Sequence, residues 1–197
     1  GVSNDRIQLP VGKDYNVANT DLSIYLWVKP DNVANAEMFM SAGTAFENRR
    51  AYFAVYNRTW DMGIAGSSWS GSGIAASNEW THIAVTFNST LNKVTMYING
   101  EIGSEKTYTD YALHDNFTLG VYGDNSYDFT GSISNLSIWS SLKTQAEILS
   151  EMNKIFIGTE PNLIGYWAFD EKDGDTVYDR SPNNYDGTIY GATRIFE

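Results

Sequence analysis

Four aromatic residues stand where a flat ring could serve recognition instead of a core. Trp69 lies in the Ser/Gly-rich stretch Ala65-Gly-Ser-Ser-Trp-Ser-Gly-Ser-Gly73, Trp60 follows a strand end, and Tyr122 and Tyr127 flank the acidic turn Gly123–Asp128. Sugars are held by flat apolar faces with nearby polar groups to fix orientation, so these four rings are read as ligand-binding positions. The turn carries Asp124, Asn125 and Asp128. Their carboxylate and amide oxygens suit one hard cation such as calcium, or they cap their own backbone. Two further acidic groups occur: Asp170, Glu171, Asp173 and Asp175, then Asp179 and Asp186 with Asn183 and Asn184. The first lacks EF-hand spacing and reads as a solvated hairpin tip; the second is a comparable cation candidate.

Nucleophilic chemistry has little to work with. The chain has no cysteine, which excludes disulfides, thiolate metal sites and a Cys nucleophile. His82 and His114 are its only histidines, and no Ser-His-Asp order stands out. His82 reads as a sheet-face residue. Net charge is −11 with no cluster of Lys and Arg, which excludes a nucleic-acid partner and disfavours an anionic membrane surface. No apolar run approaches the ~20 residues of a membrane span, so no membrane insertion is expected. Four Asn-x-Ser/Thr sequons, at Asn57, Asn88, Asn116 and Asn135, are what an Asn/Ser/Thr-rich β protein produces by chance.

The elements that must position these residues are short and alternating. In Thr81–Phe87, Ile83, Val85 and Phe87 share one face and His82, Ala84 and Thr86 the other. In Lys93–Asn99, Val94, Met96 and Ile98 repeat the pattern, and Asn99-Gly100 supplies a tight turn. Similar segments recur at Arg6–Leu9, Ser23–Val28, Met38–Ser41, Ala51–Tyr56, Asp61–Ala65, Phe117–Val121, Ser132–Trp139, Leu163–Phe169 and Thr188–Tyr190. Turn signals every 8–12 residues or so argue for an all-β, two-sheet antiparallel sandwich. Trp27, Trp80, Trp139 and Trp167 are assigned to its strands. Thr144-Gln-Ala-Glu147 fits a capping box and predicts one helix of about three turns near residues 144–153. The C-terminal strands need partners, so residues 1–197 are expected to form one domain, excised from a larger protein.

Several of these segments resemble, in order, the strands of laminin-G-like, concanavalin A-like jelly rolls. Leu22-Ser-Ile-Tyr-Leu-Trp-Val-Lys-Pro30 is similar to their "FTISAWVKP" strand, Glu79-Trp-Thr-His-Ile-Ala-Val-Thr-Phe87 to "EWTHVAVTYD", and Val94-Thr-Met-Tyr-Ile-Asn-Gly100 to "VKLYVNG". Phe129–Trp139, the 144–148 helix start and the Leu163–Glu171 and Tyr178–Ile189 tail continue the match over nearly the whole chain. Pentraxins share this arrangement. The likeness to them implies a calcium site at the Gly123–Asp128 loop, with further ligands near Glu47 and Asn48. Where the family often has "IDEVRI", this chain has Ser134-Asn135-Leu136, so the acidic pair is missing there. Such sandwiches also host glycoside hydrolases with a Glu-x-Asp-x-x-Glu strand, and no such run occurs here. The resemblance therefore implies a non-catalytic binding module of a secreted or cell-surface protein, with calcium-assisted carbohydrate binding. A protein–protein adhesion module is the competing expectation, and a glycoside hydrolase or its accessory domain the third.

Overall fold

The computed structural model describes residues 5–13, 20–43, 51–64, 67–108, 117–122 and 127–195, and the side chains of 67–72 lie outside that description. In chain order the described strands are β1 (Arg6–Gln8), β2 (Leu22–Pro30), β3 (Glu37–Ala42), β4 (Ala51–Tyr56), β5 (Thr59–Ile64), β6 (Ser67–Ile74) and β7 (Thr81–Asn88). They continue with β8 (Lys93–Ile98), β9 (Glu101–Thr107), β10 (Phe117–Leu119), β11 (Gly131–Trp139), helix α1 (Gln145–Glu151), β12 (Leu163–Trp167), β13 (Thr176–Val177) and β14 (Gly187–Tyr190). They form an eight-stranded sheet, β13-β14-β1-β10-β3-β4-β5-β6, and a six-stranded sheet, β12-β11-β2-β7-β8-β9. Every pairing is antiparallel. This is the all-β sandwich with one short helix that the sequence pattern predicts.

The period of two decides which residues enter the core. Ile24, Leu26 and Val28 of β2, Ile83, Val85 and Phe87 of β7, and Val94 and Met96 of β8 meet Phe53 and Val55 of β4 and Trp60, Met62 and Ile64 of β5. Two sheets packed face to face bury such inward positions together. The turn between β8 and β9 is made by Asn99 and Gly100, both at positive φ (51° and 81°), as a two-residue hairpin requires.

The outer face of the six-stranded sheet is buried as well. Tyr25, Ala84 and Tyr97 pack beneath Ile148 of α1. Thr144 opens the helix with the predicted reciprocal cap: Glu147 N donates to Thr144 Oγ1 at 3.3 Å, and Thr144 N to Glu147 Oε2 at 2.7 Å. The helix is two turns long, not three. Lys154 N donates to Glu151 O, turning the chain, and Trp27 Nε1 takes the freed carbonyl of Met152 at 2.9 Å. Under this helix His82 is 1% exposed, set edge-on to the rings of Tyr25 and Trp27. Burial holds its imidazole down at about 4, so it is neutral near pH 7.

Three strands went unread in the sequence. β6 runs through the Ser/Gly-rich stretch around Trp69, β9 is largely polar because it is an edge, and β13 has only two residues. After residue 160 the chain completes both sheets: β12 pairs with β11, and β14 lies between β13 and β1.

Candidate functional site

The outer face of the eight-stranded sheet carries the residues best suited to hold a ligand. Alternation turns Phe53, Trp60 and Met62 inward, and so turns Tyr52, Ala54, Asp61 and Gly63 outward. Register lines Thr118, Ser41, Tyr52 and Gly63 in one row across β10, β3, β4 and β5. The next row holds Met38, Ala54, Asp61 and Ser70 across β3, β4, β5 and β6.

Three tyrosines run along this face. The Tyr52 ring lies directly over Gly63, where even a methyl group would strike its edge. It meets Tyr122 edge-to-face at 6.0 Å and 89°, and Tyr122 meets Tyr127 at 6.3 Å and 73°. Met38, Ala54 and Tyr122 pack together with Tyr52 against them, while Tyr127 at the end of the run is 53% exposed. The backbone fixes that end: Met38 N donates to Tyr127 O at 3.0 Å. Three residues after Tyr127, Thr130 N and Oγ1 donate to Glu37 of β3 at 2.9 and 2.7 Å.

Asp61 is the polar member of the face. It is only 7% exposed, and its Oδ1 is enclosed with no hydrogen-bond partner. Burial alone pushes its carboxyl up to about 6. The ladder beside it is irregular: Thr59 pairs with Ile74 but Asp61 with Ser70, so two steps along β5 span four along β6. Bulges of this kind re-aim backbone and side chains, and they gather beside binding sites.

The structure brings together two of the predicted ligand residues, Tyr122 and Tyr127. Trp60 is a correction. Its indole is 1% exposed and packs edge-to-face on Phe39, 5.9 Å away, because it alternates with Met62 and Ile64 on the inner face of β5. Trp69 lies in β6 opposite Met62, and its side chain is outside the described residues. Of the predicted metal ligands, Glu47, Asn48, Asp124 and Asn125 are outside the described residues too. Asp128 is half-buried, with Oδ1 enclosed and partnerless, and burial followed by the nearby Asp5 charge raises its carboxyl.

The other acidic groups hold structure. Asp179 Oδ1 accepts from Tyr166 N and Ser181 N, both at 2.9 Å, and Oδ2 accepts from Tyr185 N at 2.9 Å and Ser181 Oγ at 2.7 Å. Asn183 Nδ2 donates to Ile164 O, and Asp186 Oδ1 accepts from Asp179 N. Asp170 pairs with Arg180, and Glu171 with Arg194 at 2.9 Å. Among the described residues no three His, Cys, Asp or Glu side chains gather into a group able to hold a metal.

Sequence reasoning missed Asp61, Tyr52 and the position of Trp80. A single carboxylate inside the apolar alternation Trp60-Asp-Met-Gly-Ile64 was the available signal, since the other strand interiors hold almost none. Trp80 precedes β7 instead of lying in it, is 37% exposed and has Lys29 Nζ 5.1 Å above its ring. It borders a cleft of about 440 Å³ between the sheets, floored by inward residues such as Leu119, Ile133 and Ile189 and edged by Thr193 and Arg194.

The sequence model of the concanavalin A-like lectin/glucanases superfamily matches residues 2–149. The chain belongs to that superfamily. None of the curated proteins matches it. Among solved structures, a candidate carbohydrate-binding protein from Bacteroides ovatus superposes with a TM-score of 0.77 at 19% identity, over 97% of this chain and 57% of that one. This superfamily member thus spans little more than half of the Bacteroides protein. The native heptameric SAP-like pentraxin of Limulus polyphemus gives 0.61 at 14% identity, over 98% and 94% of the two chains. The CBM40 module of a Ruminococcus gnavus sialidase, bound to α2,3-sialyllactose, gives 0.60 at 14%, over 70% and 84%. At these identities the likeness is one of fold.

Proposed function

We propose that this domain is a non-catalytic carbohydrate-binding module of a secreted or surface protein, and that it seats its glycan on the outer face of the eight-stranded sheet. The observation that carries the reading is the run of Tyr52, Tyr122 and Tyr127, leading from a buried carboxylate to an exposed ring. Aromatic faces suit the C–H faces of sugars, and a carboxylate beside them suits their hydroxyls. The ligand class is supported by the CBM40 module bound to α2,3-sialyllactose and by the Bacteroides ovatus candidate carbohydrate-binding protein, which share this fold. Glycosidic cleavage needs two carboxylates roughly 5–9.5 Å apart. Burial is the cause that raises Asp61, and among the described residues no group of three acidic or histidine side chains gathers, so the role proposed for this face is one of holding a sugar.

Calcium is proposed to brace the 123–128 loop through Asp128. Its enclosed, partnerless oxygen and its acidic neighbour Asp5 are the donor chemistry a hard cation takes. Millimolar calcium should then raise the melting temperature of the wild type, and chelator should reverse it. The same titration on Asp128→Asn should show little shift.

A glycan array, read with wild type and Tyr127→Ala, tests the main proposal. Wild type should bind at least one oligosaccharide, and removing the exposed ring should weaken it roughly tenfold. Failure to bind any glycan at millimolar concentration would sink the proposal and favour a protein ligand.

A further inference from the structure

We infer that Asp61 anchors the bound sugar by accepting hydrogen bonds from its hydroxyls, and that this face therefore selects neutral glycans over sialylated ones. The inference rests on the carbohydrate reading above and narrows it. Its basis is the geometry around one side chain. Asp61 sits on the outer face between Ala54 of β4 and Ser70 of β6, one row from the Tyr52 ring and beside the β6 bulge. Its Oδ1 is enclosed without a donor. Buried polar oxygens in folded proteins nearly always have a partner, and one left without costs stability. On a face lined by aromatic rings, a ligand's hydroxyl is the donor that would relieve that cost.

The chemistry of the donor follows. An ionised carboxylate can only accept, and sugar hydroxyls donate to it in short, charge-assisted bonds. Rotation about the Cβ–Cγ bond exchanges the two oxygens at little cost, so either can meet the ligand. A second carboxylate, as in a sialic acid, would face Asp61 as a like charge in a desolvated site. A cation is a poor alternative occupant, because no group of acids or histidines gathers here among the described residues. Among the described residues, the titratable side chain in the neighbouring row is Tyr52 of β4, whose ring meets Tyr122.

Burial raises Asp61 to about 6, and the ligand's hydroxyls favour its ionised form. Affinity is then full at higher pH and falls as pH drops through that value.

Calorimetric titration with lactose, α2,3-sialyllactose, xylotriose, arabinotriose and chitotriose tests this on wild type and Asp61→Asn. A neutral member should bind the wild type, lactose no more weakly than its sialylated form. Asp61→Asn should weaken the best neutral ligand tenfold or more. Lowering the pH from about 7.5 to about 5 should weaken wild-type binding about tenfold. Should Asp61→Asn fail to fold, the wild-type pH profile and the lactose–sialyllactose pair still decide. Unchanged affinity in Asp61→Asn, a flat pH profile, or tighter binding of sialyllactose than lactose would overturn the inference and leave the carbohydrate reading standing. If no member of the panel binds at millimolar concentration, both fall.

Discussion

Asp179 and Asp61 are aspartates shut away from water in opposite circumstances. Asp179, in the turn after β13, receives four hydrogen bonds from Tyr166, Ser181 and Tyr185, so its two oxygens organise a stretch of chain that has no regular structure of its own. Asp61, in a regular strand, organises nothing: the ladder already holds its backbone, and its carboxyl has an enclosed oxygen with no donor. A carboxylate with every lone pair engaged is a fastener. One left unengaged in an ordered sheet fastens nothing, and the proposed recognition role of Asp61 draws on that.

The contrast breaks or stands on mutation. Asp179→Ala should lose about 4 kcal/mol in urea unfolding, since three backbone N–H groups and a hydroxyl lose a charged acceptor together. A loss below ~1 kcal/mol would remove the distinction. His82 supplies a control, for its Nδ1 is also enclosed and partnerless, but on the other sheet, edge-on to Tyr25 and Trp27. The fold keeps it neutral down to about 4, while the unfolded chain protonates it near 6.5. Stability should therefore be unaffected above 6.5 and decline by about 3 kcal/mol as pH falls toward 4, and His82→Phe should flatten that slope. A slope that persists in His82→Phe would assign it to other groups. Asp61→Asn should move stability the other way, gaining roughly 1 kcal/mol at pH above its raised value, because the charge it removes was unpaired. Smallest of all, Tyr127→Ala should leave stability within ~0.5 kcal/mol while weakening glycan binding, as befits an exposed ring.

Much of the fold was legible because alternation is a physical signal. The β7–β8 pair, the Asn99-Gly100 turn and the Thr144/Glu147 cap each follow from a local rule, and each is present. β6 was not legible: serine and glycine lack the branched or aromatic bulk that marks a strand, and register with β5 makes it one. Trp60 could have been placed by extending the alternation of β5 one residue back. The candidate site was harder. Tyr122 and Tyr127 were found because they flank an acidic turn, but their meeting with Tyr52 depends on β10 coming beside β3, with Phe117 opposite Ala42.

The place of β1 has a kinetic consequence. Arg6–Gln8 is hydrogen-bonded on one side to Phe117–Leu119 and on the other to Gly187–Tyr190, so some of the first residues of the chain wait for some of the last. Loop closure over such separations is slow, and a domain in which β14 has not yet docked presents the open backbone of β1 to any neighbouring chain. Deletions that remove Gly187–Tyr190 should therefore govern aggregation of this domain more strongly than changes to the outer face of its eight-stranded sheet.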